Sequence, residues 1–139
     1  MTPPNEYRAY FNFVGEFDPA EVTTQVSLQP SRSWRKGEIN PSTQQERKHS
    51  RWCVDSRLSK TEPLERHVAD VLEQLRPHAE AVAQLRSELD GGLQLVGNFY
   101  RDYPGFGLDD VTVAELSKMK LGFDCDFYFL YSGKREDSN

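Results

Sequence analysis

Alternating apolar and polar residues predict several β-strands along this chain. Residues 7–14, YRAYFNFV, place Tyr7, Ala9, Phe11 and Phe13 on one side and polar side chains on the other, a pattern typical of a half-buried strand. The same period of two recurs in residues 48–58, 93–100 and 123–131, and a shorter strand is predicted over 34–39. Each of the longer strands therefore has one apolar face that must be covered.

Segments with helical periodicity connect these predicted strands. Asp18 and Pro19 are suited to the N-cap and first position of a short helix that ends at Gln29-Pro30. Residues 62–89 carry apolar side chains at amphipathic spacing, with Pro77 inside, so the helix kinks or restarts there. The segment Asp90-Gly91-Gly92 is predicted to end it, and Asp109 or Asp110 caps a last short helix.

The order β-α-β-β-α-β-α-β predicts an α+β fold. We expect a two-layer sandwich, a mostly antiparallel sheet with helices on one face. Its first six elements match a ferredoxin-like βαββαβ unit, to which an extra α-helix and strand are added. The chain is predicted to be a single domain over residues 1–139, with a core at about 7–131 and a flexible tail at 132–139. The order of the strands stays open at this point.

Composition narrows the class of function. The chain has 139 residues and a net charge of −5, which argues against binding to nucleic acid or to an anionic membrane. Its N-terminus lacks the pattern of a secretory signal, and no apolar stretch reaches the about 20 residues that span a bilayer. Cys53 and Cys125 fall on opposite faces of the predicted sheet, so we expect free thiols in a cytoplasmic protein. No Cys or His cluster predicts a zinc site, and we expect no cofactor.

The polar face of the predicted sheet is the first candidate binding surface. Tyrosine and arginine, which are enriched at binding hot spots, occur there beside carboxylates. The alternative is a solvated face with cross-strand charge pairs. The residues assigned to this face are Arg8, Tyr10, Asn12, Arg51, Asp55, Arg57, Gln94, Asn98, Tyr100, Asp124, Asp126 and Tyr128.

Residues 31–60 form a basic segment in an otherwise acidic chain, with eight Lys or Arg residues against three Asp or Glu. Arg32, Arg35 and Arg51 could hold an anionic ligand or an acidic partner. Pairing with acidic residues elsewhere in the chain is the alternative, and the more favoured one.

The tryptophans and the last pair of aspartates are two further candidate groups. Trp34 and Trp52 could stack on a planar ligand, although packing in the core is favoured because Trp52 is in phase with Val54 and Leu58. Asp124 and Asp126 share a strand face and, with Asp55, could bind a hard cation, but Asp-x-Asp on an exposed strand is common. We therefore predict neither a metal site nor catalytic residues, and the three histidines are expected at the surface.

Three motifs resemble a known family. Gly15-x-Phe17-Asp18-Pro19 precedes Leu28-x-Pro30-Ser31-Arg32-Ser33-Trp34-x-Lys36-Gly37-Glu38, and Ser50-x-Trp52 follows. These residues, within a stretch of about 7–131, resemble the bacterial domain of unknown function (DUF) 4279 family. The resemblance implies one bacterial domain and transfers no catalytic residue.

These observations favour a non-enzymatic domain that binds a protein partner, with an immunity-type role as one form. A domain for small anionic ligands is the alternative, and a metal-dependent enzyme using Asp124 and Asp126 is the least favoured hypothesis. A monomer and a homodimer joined at an open sheet edge are both compatible with the pattern.

Overall fold

The computed structural model describes residues 1–131, which form one five-stranded sheet with four α-helices packed on a single face. The predicted flexible tail at 132–139 lies outside the described residues. The strands are β1 (Glu6–Gly15), β2 (Arg32–Trp34), β3 (Ser50–Asp55), β4 (Asp90–Phe99) and β5 (Phe123–Phe129). The helices are α1 (Pro19–Val26), α2 (Leu64–Leu75), α3 (Ala79–Arg86) and α4 (Asp110–Lys118).

The sheet has the order β2-β3-β1-β4-β5. Neighbouring strands among the first four in this order are antiparallel, whereas β5 is parallel to β4. Each of the first two helical connections joins two strands that run the same way with a third strand between them, which is the split βαβ arrangement. The predicted two-layer α+β sandwich, with a ferredoxin-like unit and an added αβ, is confirmed.

The alternation in β1 determines which face is buried. Ala9, Phe11 and Phe13 are at most 1% exposed and pack against the helices. Trp52 and Val54 of β3 lie directly opposite Phe13 and Phe11 in the register, so they share this face. The core therefore lies between the central strands and the helix layer.

The helix boundaries follow local chemistry. The Asp18 side chain accepts a hydrogen bond from the Ala20 N–H at 3.0 Å, as expected of an N-cap. Pro77 lies in a short 3₁₀ turn, Arg76–His78, that separates α2 from α3. Because proline has no N–H to continue the ladder, the helix restarts there rather than kinking.

Several predicted boundaries are wrong. The short second strand covers Arg32–Trp34 instead of 34–39, and β3 ends at Asp55 rather than at residue 58. Gly91 and Gly92 do not end a helix but belong to β4, where they pair with β1. Glycine there allows close approach, since a Cβ on Gly91 would lie 2.3 Å from the Asn12 carbonyl oxygen.

The last strand differs most from its predicted environment. Phe123, Cys125, Phe127 and Phe129 do lie on the helix side of the sheet, in register with Leu93, Leu95, Gly97 and Phe99. Only Phe127 is partly buried against the core, whereas Phe123, Cys125 and Phe129 are exposed, because β5 is the sheet edge and the helices cover mainly the central strands. Phe123 is 44% exposed and Phe129 is 55% exposed. Tyr103 and Phe106, from the segment between β4 and α4, supply partial aromatic cover.

Candidate functional site

The face of the sheet opposite the helices is here called the outer face. Within residues 1–131 no helix packs on it. Its side chains come from alternate positions of all five strands, so rigid backbone ladders fix their spacing. Apart from glycine they are Glu6, Arg8, Tyr10, Asn12 and Val14 on β1, Arg32 and Trp34 on β2, Arg51, Cys53 and Asp55 on β3, Asp90, Gln94, Val96 and Asn98 on β4, and Asp124, Asp126 and Tyr128 on β5.

Tyr10 is the centre of an ordered cluster on this face. The guanidinium carbons of Arg8 and Arg32 lie 5.1 and 4.9 Å from its ring centroid, which is cation–π distance. Arg32 also makes a bidentate ion pair with Asp55, with Nε–Oδ2 at 2.9 Å and Nη2–Oδ1 at 3.0 Å. We call Arg8, Tyr10, Arg32 and Asp55 the Tyr10 cluster.

Asp55 is held in its charged form. Its burial opposes ionisation, but the hydrogen bonds from Arg32 and Ser31 keep the pKa of Asp55 below its usual value. The Ser31 hydroxyl donates to Asp55 Oδ2 at 2.6 Å and accepts from the Asp55 N–H at 2.8 Å. Arg32 and Asp55 are therefore held in place by hydrogen bonds within the domain itself.

Next to this cluster, Arg51 lies at the edge of a shallow depression of about 540 Å³. Its Nη1 donates to Asn12 Oδ1 at 2.9 Å, and Asn12 Nδ2 donates to the Gly92 carbonyl at 3.2 Å. Gly92 gives the depression its floor because it places no side chain on the outer face. Asp90 and Asp124 line the same space, so its electrostatic character is mixed.

The basic segment forms a hairpin beside the outer face, which we call the basic hairpin (residues 35–49). The Gly37 N–H donates to the Arg47 carbonyl at 2.9 Å, the Arg47 N–H donates to the Glu38 carbonyl at 2.7 Å, and Ile39 bridges to Glu46. Gly37 has a φ of +95°, which favours glycine in this turn. Residues 40–45 therefore form the tip of a hydrogen-bonded hairpin.

Trp34 connects this hairpin to the sheet. The guanidinium carbon of Arg47 lies 3.9 Å from the ring centroid of Trp34. One face of this indole ring is therefore covered by a positively charged group. Trp34 is half-buried on the outer face, whereas Trp52 is fully buried in the core and donates its Nε1–H to Thr23 Oγ1 at 3.0 Å. The hypothesis that both tryptophans stack on a ligand is thus wrong for Trp52, and the favoured core packing is confirmed for Trp52 alone.

Two acidic residues of the outer face, Asp124 and Asp126, lie on β5, at the opposite edge of the sheet from β2. Asp126 accepts a hydrogen bond from Gln94 Nε2 at 2.7 Å. Asp55 is three strands away from Asp124, a separation of about 14 Å at ordinary strand spacing, so it cannot be a third ligand to a shared cation. Among residues 1–131 no group of three His, Cys, Asp or Glu side chains is placed to hold a metal ion.

Some predicted positions fall elsewhere. Arg57 follows the end of β3 and turns to the helix layer, where Nη2 lies 2.8 Å from Asp70 Oδ1. Tyr100 follows the end of β4 rather than lying on it. Arg35 is exposed and leads into the basic hairpin, and its backbone N–H donates to the Glu38 side chain at 3.1 Å.

The structure places the two cysteines as predicted, but it buries one of the histidines. Both cysteines are free and lie on opposite faces, as predicted. Cys53 is buried, and this burial raises the pKa of its thiol. His67 was expected at the surface but is only 1% exposed, with Nδ1 2.7 Å from Ser56 Oγ.

Sequence reasoning missed two residues that shape the candidate site, Ser31 and Arg47. Ser31 orients the Asp55 carboxylate, and Arg47 covers Trp34. Neither contact joins sequence neighbours, so only the folded chain brings these residues together.

Comparison with known proteins agrees with the motifs. A family model described as "Domain of unknown function (DUF4279)" matches residues 5–130, and the chain belongs to this family. No curated protein and no solved structure matches the chain. No helix within residues 1–131 is both long and apolar enough to cross a bilayer.

Proposed function

We propose that this domain is a non-enzymatic binding module that recognises a protein partner through the outer face and the basic hairpin. The observation that carries the proposal is the preorganised Tyr10 cluster, which lies on a sheet face that none of the helices in residues 1–131 covers. Tyrosine and arginine are the residue types most enriched at hot spots. Strands hold them more precisely than loops would.

Charge indicates the chemistry of the partner. Arg8, Arg35 and Arg51 form no ion pair with any residue in 1–131, and Arg47 adds a fourth guanidinium over Trp34. This side of the domain therefore fits an acidic surface with a planar or aromatic group that stacks near Tyr10 or Trp34. Blocking such a partner, as an immunity-type protein does, is one biological form of this activity.

The experiment that tests the proposal compares two charge reversals. Tagged wild-type protein, Arg8→Glu and Arg66→Glu are incubated with extract of the source organism, cross-linked and analysed by quantitative mass spectrometry. Arg66 is the matched control, because it is exposed on α2, on the helix side of the sheet. We expect a stoichiometric partner with wild type and Arg66→Glu, and at least about tenfold less with Arg8→Glu. Equal recovery by Arg8→Glu and Arg66→Glu would contradict the proposal.

Binding of a small anionic ligand is the second candidate, and the depression beside Arg51 favours it. Asp90 and Asp124 in the same space weaken this alternative, and so does the engagement of Arg32 by Asp55. Thermal unfolding with millimolar phosphate distinguishes the two. A phosphate-dependent rise in Tm that Arg51→Gln abolishes would favour the ligand, and no rise would favour the protein partner.

The cysteines bear on the compartment. Their unpaired state and their opposite positions on the sheet leave no intramolecular disulfide to form. This fits a reducing environment, and we propose a cytoplasmic location on that basis. We also propose a bacterial host, because the family that the motifs resemble is a bacterial one.

A further inference from the structure

The backbone of β5 presents a row of hydrogen-bonding groups at the sheet edge. The Leu93 N–H donates to the Gly122 carbonyl at 3.0 Å, and the Leu130 N–H donates to the Phe99 carbonyl at 2.8 Å. Since N–H and C=O of alternate residues point to the same side of a strand in a parallel pair, the even-numbered residues of β5 face β4. Phe123, Cys125, Phe127 and Phe129 must therefore direct their N–H and C=O groups away from β4, and within residues 1–131 no strand lies on that outward side of β5.

The two sides of the β5 edge carry different kinds of side chain. On the helix side, Phe123 and Phe129 are about half exposed, at 44% and 55%, and Cys125 is exposed between them. On the outer side lie Asp124 and Asp126, neither of which forms an ion pair within residues 1–131. A seven-residue open edge with exposed aromatic side chains is a template for strand addition.

We propose that the β5 edge binds an extended peptide segment of a partner protein in which apolar residues alternate with Lys or Arg. The apolar residues would pack beside Phe123, Phe127 and Phe129, while the basic residues would lie beside Asp124 and Asp126. Directly opposed charges of unlike sign stabilise a strand pair, and like charges destabilise it. The β5 edge is a second binding surface, two strands away from Tyr10. It selects a basic segment, whereas the Tyr10 cluster fits an acidic surface.

Charge also favours a basic peptide over a second copy of this chain. A second β5 in antiparallel pairing would bring two more carboxylates to the same outer side. The registers centred on Asp126 or Cys125 set Asp directly opposite Asp. The other sheet edge, β2, has only three residues and offers a much shorter ladder. A basic peptide paired with β5 places no carboxylate opposite Asp124 or Asp126, and it uses the longer of the two sheet edges.

The test uses full-length ¹⁵N-labelled protein and two synthetic peptides. The first is acetyl-Val-Lys-Phe-Arg-Val-Lys-Phe-amide, and the control replaces every Lys and Arg by Glu. We expect the first peptide to shift the backbone amides of Phe123, Cys125, Phe127 and Phe129 and to slow their hydrogen exchange. The double variant D124N/D126N should bind it about three- to thirtyfold more weakly, whereas Tyr10→Ala should bind it as wild type does, which separates this proposal from the proposed function.

A proline substitution tests the geometry. Cys125→Pro removes one outward N–H while leaving the ladder to β4 intact, so it should abolish peptide binding, and Cys125→Ala should preserve it. Three results would each overturn the proposal. These are no amide shift at about 1 mM of the basic peptide, equal binding of the acidic peptide, and protection of the same amides through self-association of the protein alone. If Cys125→Pro fails to fold, the D124N/D126N comparison still decides.

Discussion

Gly91→Ala is the sharpest test of the register that builds the outer face. Gly91 lies opposite Phe13 in the β1–β4 ladder. A Cβ at this position would lie 2.3 Å from the Asn12 carbonyl oxygen and 3.2 Å from the Phe13 Cα. Carbon–oxygen contacts between strands are normally at about 3.3–3.6 Å, so the two backbones would have to separate by roughly 1 Å at this point.

Backbone cannot rotate away as a long side chain can, so relief requires the last pairs of the ladder to open. We expect a loss of about 1–3 kcal/mol in the free energy of unfolding, the usual cost of overpacking. Urea denaturation followed by tryptophan fluorescence measures it, with an unchanged m-value as the sign that the two-state transition is preserved.

Gly122→Ala provides the matched control. No atom lies within 4 Å of a Cβ placed there, and its φ is not in the left-handed region. It should change stability by less than about 0.5 kcal/mol, or raise it slightly by restricting the unfolded chain. Equal denaturation midpoints for Gly91→Ala and Gly122→Ala would refute the register that pairs Phe13 with Gly91.

Three further outcomes follow from the core and the thiols. Trp52→Phe should cost about 2 kcal/mol in thermal or urea unfolding, because it removes buried volume and the hydrogen bond to Thr23; an unchanged midpoint would contradict the packing. Burial lowers the pKa of His67, so the unfolded chain takes up a proton first, and stability should fall as pH drops below about 6.5. This fall should be smaller in His67→Gln, and an identical pH dependence would show that His67 is not its source. A thiol reagent should modify Cys125 at once and Cys53 only on unfolding; simultaneous modification of the native protein would contradict the burial of Cys53.

Local chemistry explains why much of the fold could be predicted from the sequence. The alternation of β1, the Asp18 cap and the break at Pro77 each depend on interactions within a few residues, and the structure confirms all three. The fold class followed from the order of these elements. The ends of the segments could not be predicted in the same way. Gly91 and Gly92, for example, are compatible both with the end of a helix and with a strand that another backbone approaches closely.

Exposure at the sheet edge could not be predicted by the same reasoning. Periodicity assigned Phe123 and Phe129 to the correct side of β5, but it cannot show which strands the helices cover. That depends on strand order, which places β5 outside β4. His67 shows the opposite error, because its polar neighbours in sequence suggested an exposed position, whereas it lies on the buried face of α2.

The basic segment shows how structure divides a charge pattern between folding and binding. Its net charge favoured either an anionic partner or internal pairing, and the two interpretations apply to different residues. Four of its cations pair with carboxylates, namely Arg32 with Asp55, Lys36 with Glu16, Arg57 with Asp70 and Lys60 with Glu6. Arg35, Arg47, Lys48 and Arg51 have no such partner within residues 1–131. Since these four lie at the outer face or its hairpin, the charge that folding leaves uncompensated is concentrated where we propose that the partner binds.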